Sequence, residues 1–235
     1  MGTLTGVIAT TPTYELNLPS NGKTIDYRPF LVREEKILLI ASESKNEKEI
    51  YRAMQDVVSA CTYGKIEMSD SPMMDVEYLF TKIRSKSVGE TAKPMIKCSK
   101  CGVVNEVVVD LSTIEPTRSP DHKTSIEITK DVILDMRYPR FSDIEKMQDT
   151  KSEARRLFQL MALCIDKIHT PKGTFNTKEL EETEVEEFLD NLTQVQFKHL
   201  SGFFETMPNL RKEVEYKCKC GNDESVTLRG AQDFF

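Results

Sequence analysis

Two short cysteine turns, Cys98-Ser99-Lys100-Cys101-Gly102 and Cys218-Lys219-Cys220-Gly221, lie far apart in a chain of 235 residues and set the strongest limit on how it can fold. Each ends in glycine, which tolerates the left-handed backbone that a tight turn needs. Each is flanked by β-like arms, 93–98 and 103–109 around the first and 212–218 and 225–229 around the second. A tetrahedral metal site needs four soft ligands converging on one point, and two such turns deliver two sulfurs apiece. Cys98, Cys101, Cys218 and Cys220 are therefore the candidate ligands of one structural zinc ion, which would tie the C-terminal region to the middle of the chain.

Other readings of these thiols remain open at this level. A redox Cys-x-x-Cys at Cys98 and Cys101 would be expected to open a helix, whereas β arms flank this one. Four free structural thiols, or a disulfide between the pairs, are the remaining alternatives, the last disfavoured in a reducing compartment. Cys61 and Cys164 fall on apolar helical faces and read as core residues.

The formal net charge is −6, and no block of Lys and Arg stands out, which argues against a nucleic-acid partner. Lys97, Lys100, Lys217 and Lys219 do flank the cysteines, so a nucleic-acid-binding zinc-ribbon accessory protein is the main rival reading. The simpler role for those lysines is to offset thiolate charge. No apolar stretch approaches the roughly 18–20 residues of a membrane-spanning helix, and the N-terminus lacks the pattern of a signal peptide. The expectation is a cytoplasmic protein with no membrane partner.

The remaining pattern predicts an α+β fold with three parts. Residues 1–92 form a hairpin and a helical lobe. Residues 93–140 with 211–235 form a small antiparallel, zinc-ribbon-like β module. Residues 141–210 form an inserted helical lobe. The hairpin spans 14–18 and 23–27 around Asn21-Gly22. Helices are predicted over 32–43 (Ile37, Leu38, Ile40, Ala41), 46–62 and 73–86, the last with Val76, Leu79, Phe80 and Ile83 on one face. Strands are predicted at 124–129 and 131–137, and a further helix at 151–168. Ser142 with Glu145, Thr183 with Glu186, and Thr193 with Gln196 read as capping boxes.

Catalytic motifs fail. Gly22-Lys23-Thr24 lacks the earlier glycine of a phosphate-binding loop, since Asn17 stands there. No nucleophile elbow or zinc-protease helix is present. His122, His169 and His199 stand in no catalytic spacing, although His122 is a conceivable substitute ligand. The acidic run Glu179 to Glu187 reads as a solvated helix face. The chain is therefore expected to be no enzyme.

Several segments occur together in a recognisable order: Ile25-Asp26-Tyr27-Arg28-Pro29-Phe30 with the run to Ala41, Asp75-Val76-Glu77-Tyr78-Leu79-Phe80 leading to Val88-Gly89-Glu90, the two cysteine turns, and the terminal Asp233-Phe234-Phe235. In that order the chain resembles the baseplate hub subunit and hub-assembly family of T4-like contractile-tailed phages. The resemblance implies a non-enzymatic role in the central hub, as component or assembly factor, with other baseplate hub proteins as partners. It implies location in the host cytoplasm during assembly or in the virion tail, and it carries over the four cysteines as a metal-binding set. Phe30, Tyr78, Phe203, Phe204, Phe234 and Phe235 are candidate aromatic anchors for docking, because buried aromatics often dominate interfaces.

Overall fold

The turn at Asn21-Gly22 closes a hairpin of β1 (Tyr14–Asn17) and β2 (Thr24–Tyr27), with Tyr14 opposite Tyr27 and Asn17 opposite Thr24. Gly22 takes a positive φ of 73°, and the Asn21 side chain accepts the Lys23 amide at 2.8 Å, which makes the turn self-supporting. The structure, a computed structural model, describes residues 11–44, 46–117, 119–147 and 152–231.

Three helices follow, α1 (Val32–Ser44), α2 (Glu47–Cys61) and α3 (Met73–Val88). The Asn46 side chain caps α2 by accepting the Lys48 amide at 3.0 Å. The expected apolar stripes of the second and third helices are inside: Met54, Val57, Val58 and Cys61 of α2, and Val76, Leu79, Phe80 and Ile83 of α3. Helix α1 departs from expectation. Its described buried residues are Glu34 and Ala41, while Ile40 is 69 % exposed and Ile37 41 %. The reason is a buried ion pair. Arg28 donates to Glu34 Oε1 at 3.0 Å and to the carbonyl of Pro29 at 2.9 Å, and Glu34 Oε2 accepts the Leu31 amide at 2.7 Å. Seating Glu34 inward turns the opposite face of the helix outward.

Short strands come next: β3 (Thr91–Ala92), β4 (Met95–Lys97), β5 (Val104–Glu106), β6 (Val109–Asp110) and β7 (Pro116–Thr117). β3 pairs with β6, and β4 with β5. Near the C-terminus β12 (Asn209–Lys217) and β13 (Asp223–Arg229) form a long hairpin, with β7 on the other edge of β12. Tyr78, Ala92, Val109, Leu111, Ile114, Leu210 and Leu228 form the apolar cluster of this region.

Between these parts, β8 (Ser125–Thr129), β9 (Val132–Met136), β10 (Ile165–Thr170) and β11 (Gly173–Asn176) make one antiparallel sheet in the order β11-β10-β9-β8. Around it lie α4 (Phe141–Lys146), α5 (Glu153–Cys164), α6 (Glu182–Asp190) and α7 (Gln194–Thr206). Its core holds Leu134, Met161, Cys164, Ile165, Leu200 and Phe203, all at 1 % exposure or less.

The chain divides into two compact units, one of 1–68, 74–116 and 210–235, the other of 69–73 and 117–209. These bounds differ from the three parts read from sequence. Strands β8 and β9, grouped there with the cysteine turns, pair with β10 inside the inserted unit. The insert is thus no purely helical lobe. The helix expected over 151–168 stops at Cys164, and Ile165 and Ile168 continue as β10, because an apolar pair three apart fits a half-buried strand with a bulge as well as a helix face.

Two capping assignments also shift. Helix α4 starts ahead of Ser142, with Asp143 accepting the Arg140 amide at 2.8 Å, and α6 starts ahead of Thr183, with Glu184 accepting the Glu181 amide at 3.1 Å. The Thr193–Gln196 box is in place: Gln196 accepts the Thr193 amide at 2.8 Å, and the Thr193 hydroxyl accepts the Gln196 amide. No described helix is long and apolar enough to cross a membrane.

Candidate metal centre

Both cysteine turns are built the same way. Lys97 pairs with Val104 at the mouth of the first turn, and Lys217 with Asp223 at the mouth of the second. The Cys98 amide donates to the carbonyl of Val103 at 2.9 Å and the Gly102 amide returns to the carbonyl of Cys98 at 3.0 Å. In the second turn the Cys218 amide donates to Asn222 at 2.9 Å and the Gly221 amide to Cys218 at 2.8 Å. Gly102 and Gly221 take positive φ values of 74° and 86°, the conformation for which glycine was needed.

The two turns meet. The sulfurs of Cys98, Cys101, Cys218 and Cys220 all lie within 4.8 Å of one another. Cys98 Sγ is 3.9 Å from Cys220 Sγ, and Cys101 Sγ is 3.6 Å from Cys218 Sγ. A tetrahedral ion with zinc–sulfur bonds of about 2.3 Å places its sulfurs about 3.8 Å apart, so these spacings suit such an ion. A disulfide needs about 2.0 Å, and all four thiols are free.

The surrounding donors also suit thiolates. The backbone amides of Cys101 and Lys100 favour the thiolate at Cys98, that of Cys220 at Cys218, and that of Asn222 at Cys220. The Asn105 side-chain amide donates to Cys218 Sγ at 3.5 Å. The Cys220 amide, with help from Asn105, holds the Cys218 thiol down at about 6. At Cys98 the amide of Cys101 favours the thiolate, but burial and the Glu224 carboxylate outweigh it and push the thiol up to about 12. Four sulfurs this close cannot all carry charge without a cation among them. The donor set therefore fits a soft divalent ion, held by all four cysteines with no ligand position left over.

Three residues at the cluster escaped the sequence reading. Glu224 Oε1 accepts from the Ser99 hydroxyl at 2.8 Å and the Asn222 side chain at 2.7 Å, so one carboxylate laces the two turns together. Asn105 is 7 % exposed, and the Tyr216 hydroxyl is buried with no partner among the described residues. Only a buried polar residue opposite Ile96 would have signalled Asn105, and burial is not visible in sequence.

Other candidates are placed elsewhere. His122 has both ring nitrogens engaged, at 3.0 Å from Thr206 and 3.0 Å from Tyr138, in the inserted unit, so it is no substitute ligand. His169 bonds to Thr174 and Asp135, and His199 is exposed on α7. Burial raises the thiols of Cys61 and Cys164, to about 11 and about 12, as suits inert core residues. Of the aromatic anchors, Tyr78 is 4 % exposed with its hydroxyl on Glu115, Phe203 is core, and Phe30 and Phe204 are half-buried; Phe234 and Phe235 lie outside the described residues. Described members of the acidic run, such as Glu184, Glu186 and Glu187, face solvent on α6.

Lys97, Lys100, Lys217 and Lys219 are exposed, but no purely basic face forms, since Glu106 and Asp223 stand on the same arms and Lys217 is 3.8 Å from Asp223. The Cys98-x-x-Cys101 pair lies between strands, without the helix N-terminus that lowers thiol pKa in redox proteins.

No curated protein and no solved structure matches the chain. The model of the family described as T4 bacteriophage base plate protein matches residues 11–235, nearly the whole length including both cysteine turns, and the chain therefore belongs to that base plate family, a component of the phage tail.

Proposed function

We propose that this base plate protein is a non-enzymatic structural or assembly protein of the baseplate hub, stapled by one zinc ion on Cys98, Cys101, Cys218 and Cys220. The convergence of four sulfurs from two distant turns carries this reading. A site with four thiolates leaves no open position for a substrate, so the ion's role is to fix the fold. Its partners are other hub proteins, met in the host cytoplasm during assembly. The net charge of −6 and the acidic residues among the four lysines favour protein partners over nucleic acid.

Elemental mass spectrometry on protein purified without added metal tests the staple. About one zinc per chain, lost in Cys218→Ser together with thermal stability, supports it; two metal-free proteins of equal stability would sink it. The hub role is tested separately, by whether the tagged chain in infected cells co-sediments with hub intermediates. Sedimentation only with peripheral base plate parts rejects the hub assignment and leaves the metal site standing.

A further inference from the structure

Helix α1 presents an apolar stripe that the described residues of its own unit leave exposed. Val32 is 65 % exposed, Leu39 57 % and Ile40 69 %. With 3.6 residues per turn, Val32, Lys36, Leu39, Ile40 and Glu43 share one side of the helix. The opposite side carries the buried Glu34 and Ala41. Three large apolar side chains on one exposed helix face are more than scattered surface residues.

The charges on the stripe identify what fits it. Lys36 stands three residues before Leu39, and Glu43 three residues after Ile40. Neither has an ion-pair partner among the described residues. The nearby Arg33 is already engaged by Glu34 at 2.6 Å. From Lys36 to Glu43 the arrangement reads the same when reversed with charges exchanged, so the best complement of that stretch is its own inverted copy. We infer that α1 is the contact surface of a homodimer in which two copies of this chain pack their α1 helices antiparallel about a two-fold axis.

With that axis between Leu39 and Ile40, Leu39 meets the partner's Ile40, and Ile40 meets the partner's Leu39. At each end Lys36 faces the partner's Glu43, which closes the contact as an isologous interface. A parallel arrangement would set Lys36 against Lys36 and Glu43 against Glu43. One helix face buries less than the roughly 1,200–2,000 Å² of a standard interface, so the dimer forms only at micromolar or higher concentration. The inference does not depend on the metal site.

Sedimentation equilibrium of the full chain from about 1 to 300 µM, a range that covers micromolar affinities, tests it. The expected result is a concentration-dependent dimer that Ile40→Asp weakens at least tenfold. At low salt Lys36→Glu and Glu43→Lys each weaken it several-fold, and the double exchange restores it, because it re-creates the opposite-charge pairs. All three substituted positions are exposed, and circular dichroism melting checks that each variant folds. A native chain that stays monomeric over the whole range overturns the inference. So does a dimer indifferent to Ile40→Asp, or a double exchange no better than either single one.

Discussion

The inserted unit and the cysteine end of the other unit solve the same problem by different means. The insert lays α5, α6 and α7 around a four-stranded sheet and buries twelve apolar or small residues in one cluster. Each large side chain so buried contributes about 1.5–3 kcal/mol, enough to offset the ordering of its chain. Around the first cysteine turn the arms are short, three residues each in β4 and β5, and the residues paired at their middle are a half-buried Ile96 and the buried polar Asn105. Strands that short with so little apolar cover do not stabilise themselves. Where a core is thin, a metal can take its place, and the four sulfurs stand where such a core would be.

Metal removal should separate the two regions most strongly. A chelator, or Cys218→Ser, is expected to abolish hydrogen-exchange protection in β4, β5 and the turn end of β12–β13 while the sheet of the insert stays protected. The scale is set by structural zinc in small peptides, about 10–16 kcal/mol of apparent binding energy. Equal loss in both regions, or loss in neither, would erase the contrast.

A second test probes the cysteine unit away from the four sulfurs. Glu34 is 3 % exposed, and although burial alone would raise its carboxyl, hydrogen bonds from Arg28, Arg33 and the Leu31 amide bring it from 4.5 to about 2. A carboxyl whose pKa is lower in the folded state stabilises above its unfolded value and loses that contribution as pH falls. Glu34→Gln should therefore cost about 3–5 kcal/mol at neutral pH. The native chain should lose this contribution as pH falls from 4.5 towards about 2, and the variant should not, as read by denaturant melts at each pH.

In the insert, Leu200 is fully buried, and Leu200→Ala should cost about 2–5 kcal/mol by chemical denaturation. Zinc content should stay unchanged; a variant that also loses its metal would show that the two regions are not separately supported. The smallest effect belongs to the N-cap of α7. Thr193→Ala should cost about 1 kcal/mol, with exchange raised only in the first turn of that helix.

Local chemistry was legible where short-range patterns decide. Asn21-Gly22 marked the first hairpin, Thr193 and Gln196 marked the start of α7, and the stripes of α2 and α3 named their buried faces. The family was legible too, and its residues prove to be in contact: Arg28 pairs with Glu34, and the Phe30 amide donates to Ser87 at 2.8 Å. The outward turn of α1 was not legible, because an isolated helix carrying Ile37, Leu38, Ile40 and Ala41 gives no sign that Glu34 will be the residue pulled inside.

The sequence by itself determined the four cysteines, their turns and the glycines that shape them, since side-chain chemistry and backbone freedom belong to single residues. Only the tertiary structure decided which sheet receives β8 and β9, where α5 yields to β10, and that Glu224 and Asn105 close around the sulfurs. Those outcomes depend on strand pairing and burial between residues distant in the chain, and such long-range contacts override local propensity.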